Sequence, residues 1–102
     1  MRADLEDLLN LDRLVHEPAR LVILTVLAEA GGVEFRFLEN ISGLTKGNLS
    51  SHISRLEEAG YLEVEKSFRG KIPSTFLRIT SRGRSALKSY RDNLKRALHR
   101  KS

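Results

Sequence analysis

At 102 residues the chain is sized for one domain with a real core, without room for a catalytic domain beside a regulatory one. It contains no cysteine, which excludes disulfides, thiolate metal sites and thiol redox sensing, and no apolar run nears the roughly 18 residues of a membrane span. The formal charge is +5, but residues 1–44 carry four Arg against eight Asp and Glu, whereas residues 45–102 carry fourteen Lys and Arg against five.

A one-sided positive field of this kind favours a polyanionic partner, and nucleic acid is the commonest inside cells. The opening MRADLEDLL is acidic where a signal sequence would be basic. A soluble cytoplasmic protein without membrane contact is therefore expected.

In chain order, Asp4 to Val15 reads as a leucine-rich first helix, too apolar to lie bare in water. Pro18 suits the first turn of a second helix, because its missing N–H has no intrahelical partner there. That helix runs to about Ala30 with Leu21, Leu24, Val26 and Leu27 inward, and Gly31-Gly32 ends it. VEF (33–35) is a short extended piece, followed by a brief helix near Arg36 to Ile41 and a turn at Ser42-Gly43. Thr45 has the chemistry to cap the next helix, which stops at Gly60. YLEVEKSF (61–68) alternates Leu62 and Val64 against Glu63 and Glu65, as a half-buried strand does. RGKIPS (69–74) is the turn, and TFLRIT (75–80) returns with Leu77 and Ile79 on one face. Thr80 or Ser81 caps a last helix reaching roughly Arg100.

Helices joined by a short Gly-containing turn and followed by a hairpin specify a winged helix-turn-helix. The expected class is α+β, mainly α, with a three-helix core, a β-hairpin wing over 66–75 and end helices for dimerisation. The single domain, 1–102, divides into a segment 1–15, a core 16–80 and a helix 81–102.

The helix 45–59 carries an unusual outward face. Leu49, Ile53 and Leu56 form its core stripe. Steps of about 100° per residue then place Gly47, Ser51, Ser54 and Arg55 outward, with Asn48 and Ser50 on the shoulders and Lys46 in the first turn. Short side chains that donate and accept hydrogen bonds suit base edges in a major groove, and Lys46 or Arg55 can reach a guanine edge or a phosphate. Gly47 bares the backbone near the amino end, where N–H groups and the helix dipole favour phosphate. Glu57 and Glu58 are kept to the far end. His52 flanks the buried stripe, so partial packing competes with a phosphate contact. Arg69 and Lys71 sit at the hairpin tip.

Catalytic chemistry has no comparable support. Ser51 and His52 diverge on a helix with no carboxylate to orient the imidazole, and His16, His52 and His99 have no metal-ligand spacing. No phosphate-binding glycine loop is present. Neither an enzyme nor a cofactor nor a metal is expected.

LTKGNLSSHISRLEEAGYLEVEKSFRGKIPSTFLRITSRGRSAL (44–87) resembles the winged-helix domains of small MarR-like and ArsR-like transcriptional regulators, and VHEPARLVILTVL (15–27) resembles their opening. The Ser-x-His-aliphatic-x-x-Leu-x-x-Ala-Gly run within it is the specific part. The resemblance implies a dimeric repressor or activator that binds operator DNA through Lys46, Gly47, Asn48, Ser50, Ser51, His52 and Arg55, with Arg69 and Lys71 on the wing. It departs from metal-sensing ArsR-like proteins in lacking thiolates or a His cluster, and from MarR-like proteins, which hold a ligand between dimerisation and DNA-binding parts, in being shorter, so the resemblance leaves a small-molecule effector open.

The last helix places Leu87, Tyr90, Leu94, Ala97 and Leu98 on one stripe. With Leu5, Leu8 and Leu9, it is expected to build a homodimer whose recognition helices meet a pseudo-palindromic double-stranded operator, half-sites about 10 bp apart. Two rival readings are a non-specific chromatin-like binder and a winged helix used for protein contact. The latter requires Phe35, Phe37, Phe68 or Phe76 in an exposed patch.

Overall fold

The computed structural model of the chain describes residues 2–99, with side chains from Leu5 onward; the expected extension of the last helix to Arg100 lies outside the described residues. The first helix, α1 (Arg2–Leu9), is shorter than its leucine pattern predicts. Asp12 ends the pattern, because its Oδ1 accepts from the N–H groups of Leu14 at 2.9 Å and Val15 at 3.3 Å. A side chain that caps neighbouring backbone in this way competes with helix continuation. The resulting turn drives Leu11 and Val15 into the core.

Helix α2 (Pro18–Ala30) starts on Pro18, with the Glu17 carboxylate accepting from the N–H groups of Ala19 and Arg20. Its fully buried residues are Ile23, Leu24 and Leu27, while Leu21 and Val26 are only half-buried. PARLVILTVLAEA is apolar nearly all round, so spacing alone does not select the inner face. A two-residue strand, β1 (Val33–Glu34), leads into α3 (Phe35–Ser42), which buries Leu38.

Helix α4 (Lys46–Glu58) follows, with the Thr45 hydroxyl accepting from the Asn48 N–H at 3.1 Å. It buries Leu49, Ile53 and Leu56, the stripe read from the sequence. Strands β2 (Leu62–Arg69) and β3 (Ile72–Ile79) pair antiparallel in the register Leu62↔Ile79 to Arg69↔Ile72. The turn is therefore only Gly70 and Lys71, tighter than the expected 69–74. Gly70 has φ +62° and, among the described residues, only glycines have positive φ, so Lys71 does not, the sign pattern of a type II′ hairpin turn. Pro73 lies inside β3 opposite Phe68. In a two-residue hairpin that pair is not hydrogen-bonded, so the missing N–H would point away from β2. The third strand is β1, pairing Val33↔Leu77 and Glu34↔Phe76 and giving the order β1-β3-β2.

Helix α5 (Ser81–Leu98) begins at a junction held by Thr80. Its hydroxyl accepts from the Gly83 N–H at 3.0 Å and donates to the Gly60 carbonyl at 2.6 Å, while its own N–H donates to the Tyr61 carbonyl at 3.0 Å. The end of α4, the start of β2 and the start of α5 are thereby one unit. Leu87 and Tyr90 are 2% and 4% exposed in the core of this one chain. They are corrected from subunit contacts to core residues, since a side chain already covered has no area left for a partner. On the two end helices, the large apolar side chains that stay open are Leu5, Leu8 and Leu9 on α1 and Leu98 on α5. These two helices pack on each other, with Arg96 Nε 3.7 Å from Asp7 Oδ2. The outline is elongated, 59 × 26 × 21 Å, and the radius of gyration of 15.6 Å exceeds the roughly 13 Å of a compact chain this long.

A second tie crosses the fold. Tyr61 donates its phenolic O–H to Asp12 Oδ2 at 2.6 Å, linking the first turn to the end of α4. Burial, the hydrogen bond to Asp12 and the Asp12 charge push the phenol up to about 12, against the opposing pull of Arg82. Because the folded state holds the proton more tightly, this tie stabilises fully below pH 10, the ordinary tyrosine value, and is lost as pH rises toward 12. Tyr61→Phe is expected to lower stability by about 1–2 kcal/mol at neutral pH. Urea midpoints at pH 8 and pH 11 should fall less with pH in the variant than in the parent; equal slopes would rule out this tie as the source.

Candidate nucleic-acid interface

Lys46, Gly47, Asn48, Ser50, Ser51, Ser54 and Arg55 are all exposed on α4, as its spacing predicts. With the core stripe fixed by Leu49, Ile53 and Leu56, no other orientation is open to them. The helix therefore presents hydroxyls, an amide and two cations over its first three turns, and no carboxylate.

His52 does not belong to this face. Arg20 Nη1 donates to His52 Nδ1 at 3.1 Å, which leaves the proton on Nε2, 3.4 Å from Glu17 Oε2. Arg20 Nε also donates to the Leu14 carbonyl at 2.6 Å. Both ring nitrogens are thus engaged with the start of α2, so His52 takes the packing role that competes with a phosphate contact.

The wing borders α4 on one side. A groove of about 260 Å³ runs between them, floored by Phe35, Ile53 and Val64 and edged by Lys46, Ser50, Ser54 and Lys66, with the Glu57 carboxylate at its far end. Lys66 is a residue the motif reading misses, although period-two alternation places it on the Leu62 and Val64 face, toward α4. A second groove, of about 330 Å³, lies between the wing and the β1–α3 corner, where Arg36, Lys46 and Arg69 meet Glu34 and Glu39. Lys46 lines both and marks where they join.

The cations differ in how committed they are. Arg69 pairs with Glu34, and Arg78 pairs with Glu65 at 2.8 Å while lying 4.9 Å over the Phe76 ring. On α5, Arg84 donates to the Ala28 carbonyl and Arg91 to the Thr25 hydroxyl, both at 3.2 Å, and Lys88 pairs with Asp92. Much of the basic character of α5 therefore binds α2 or its own helix. Lys46, Arg55, Lys66 and Lys71 form no ion pair among the described residues. They surround the exposed face of α4 and the tip of the wing.

A profile of the winged helix DNA-binding domain family matches residues 19–98, most of the chain. The chain belongs to that family. An uncharacterised protein of Methanocaldococcus jannaschii is 37% identical over 79 residues, 76% of this chain and 85% of that protein. Among solved structures, a transcriptional regulator homologue from Pyrococcus horikoshii superimposes with a TM-score of 0.84 at 28% identity, over 93% of each chain. A point variant of E. coli MarR, solved in complex with operator DNA, shares the fold alone: TM-score 0.65 and 16% identity, over 96% of this chain and 72% of that one. The architecture is thus a winged helix that shares its fold with the MarR variant, with three antiparallel strands and mainly helical content. Among the described residues, no helix is long and apolar enough to cross a membrane and no group of side chains has the makings of a metal site.

In this winged-helix domain Gly47 separates folding from binding. A Cβ built there meets nothing within 4 Å, and the residue has no positive φ, so the fold does not require glycine. Gly47→Ala is expected to stabilise the helix by about 0.5–1 kcal/mol. The same methyl would stand between backbone N–H groups and an approaching phosphate. Thermal unfolding and DNA titration on one preparation should therefore move in opposite directions.

Proposed function

We propose that this domain is a dimeric, sequence-specific transcriptional regulator, with α4 in the major groove and the wing on the adjacent backbone or minor groove. The observation that carries the reading is the exposed face of the first three turns of α4, which holds hydroxyls, an amide and cations but no carboxylate, and which meets the wing along a groove edged by Lys46 and Lys66, with Glu57 at its far end. Asn48, Ser50, Ser51 and Arg55 read base edges; Lys46, Lys66, Lys71 and Arg69 hold phosphates, Arg69 after exchanging Glu34 for DNA. Residues 16–80 are the DNA-binding core. The segment 1–15 and the helix 81–102 carry the dimer through Leu5, Leu8, Leu9 and Leu98, with Leu94 at the margin. A use in protein contact fits less well, because Phe35 and Phe76 are half-buried and the exposed Phe37 and Phe68 sit on different elements.

Selection of genomic fragments by the purified protein at low and near-physiological salt tests the reading. A short inverted repeat recovered at both salts is expected. Asn48→Ala should alter the preferred bases, while Lys66→Ala should weaken all sequences alike and lower the salt slope by about one. Recovery of bulk DNA at low salt alone would reduce the binding to charge and overturn the sequence-specific reading.

A further inference from the structure

The outermost part of the wing is apolar as well as basic, and a phosphate-gripping role explains only the cations. Phe68 is 70% and Ile72 is 62% exposed, although both are large hydrophobic residues on a strand pair. The register places Phe68 opposite Pro73 and Arg69 opposite Ile72. Alternation then puts Phe68 with Pro73 on the face continuous with Leu62 and Leu77, and Ile72 with Arg69 on the other. An uncovered apolar side chain therefore flanks the turn on each face. Scattered single hydrophobic residues on a surface need no explanation, but Phe, Ile and Pro gathered within two residues of a two-residue turn do. The usual protection of such a tip is charge, and here the charge has one sign: residues 66–75 hold Lys66, Arg69 and Lys71 and no carboxylate.

We infer that the tip of the wing is an apolar wedge for DNA, in which Phe68, with Pro73 beside it and Ile72 on the opposite face of the hairpin, presses into a base step of the minor groove and kinks the duplex while Lys71 and Arg69 hold the flanking phosphates. Apolar side chains that unstack a step and bend DNA toward the major groove are drawn from this set of residue types. The cationic flank selects a polyanion over an apolar protein partner, and Ile72 and Pro73 line the groove that holds Arg36, Lys46 and Arg69 beside Glu34 and Glu39. The two-residue turn is the narrowest end a hairpin presents, as entry to a groove about 6 Å wide demands. The wedge would add a preference for deformable pyrimidine–purine steps at a position where α4 makes no contact.

The inference rests on the DNA-binding reading, so the experiment separates the two. Parent protein, Phe68→Ser, Phe68→Leu and Lys71→Ala are titrated on selected fragments carrying a TpA step or an A-tract at the wing position, with bend angle followed by end-to-end fluorescence transfer. The parent should bend the TpA fragment and bind it more tightly than the A-tract. Phe68→Ser should abolish the bend and weaken TpA binding about tenfold, the effect of losing one base–aromatic contact, and Phe68→Leu should restore part of both. Lys71→Ala should weaken both fragments equally and keep the bend. If Phe68→Ser binds and bends like the parent, the wedge is wrong and the DNA reading survives. If the parent binds neither fragment but Phe68→Ser abolishes its association with another protein, both readings fall.

Discussion

Gly83→Ala is expected to lower stability by at least about 3 kcal/mol, the upper range of overpacking effects. A Cβ at Gly83 would stand 2.1 Å from the Tyr61 carbonyl oxygen and 2.9 Å from Ile79 Cγ1. The first contact is with backbone, so no side-chain rotation relieves it. The chain must instead separate α5 from the start of β2, and with it lose the bonds that Thr80 makes to Gly60 and Gly83. Stability losses of this size lower the melting temperature of a 100-residue domain by about 12 °C or more. Gly47→Ala is the internal control, because the same chemical change in open space on α4 should raise it. Circular dichroism melts of the two variants against the parent decide the matter. A Gly83 variant within 1 kcal/mol of the parent would mean that the junction of α4, β2 and α5 is not rigid, and that α5 does not fix the orientation of α4.

This junction also marks the boundary of what can be read in the sequence. Leu49, Ile53 and Leu56 reveal the inner face of α4 because the helix is amphipathic, and the exposed face follows by geometry alone. The strands of the wing are equally legible, since alternation of Leu62 and Val64 with Glu63 and Glu65 has one interpretation. Lys66 is legible by the same period and is missed only if charge is sought at the tip. α2 conceals its inner face because nearly every residue is apolar. β1 falls within the extended piece read at VEF, but at two residues it becomes a strand only by pairing with β3, and no local pattern announces that partner.

The long-range ties are the least visible. His52 meets Glu17 and Arg20, Tyr61 meets Asp12, and Arg69 meets Glu34, each pair distant in sequence and dictated by packing. Leu87 and Tyr90 illustrate the same limit from the other side. The stripe on α5 is correctly read as apolar, but whether a stripe meets its own core or a partner depends on how α2 and the segment containing Leu11 and Val15 arrive. Periodicity identifies a face that must be covered; it does not identify what covers it.

Splitting the proposed dimer should have the largest effect on function. Leu9 and Leu98 are each 73% exposed, so Leu9→Asp with Leu98→Asp disturbs little within one chain. At a two-fold interface each substitution is met twice, and every buried carboxylate lacks a partner. The doubly substituted protein is therefore expected to sediment as a monomer with an unchanged circular dichroism spectrum. Its affinity for an inverted repeat should fall by about 10²–10⁴, the gain that tethering two half-site contacts provides. Its affinity for a single half-site should stay within a factor of about two of the parent's, since α4 and the wing are untouched. The ion pair between Asp7 and Arg96 cannot compensate, because it is largely solvated and such pairs contribute little. A variant that remains dimeric would move the interface off the α1 and α5 leucines. A clean monomer with parental affinity for the repeat would show that one recognition helix suffices, and would leave those exposed leucines to serve another contact.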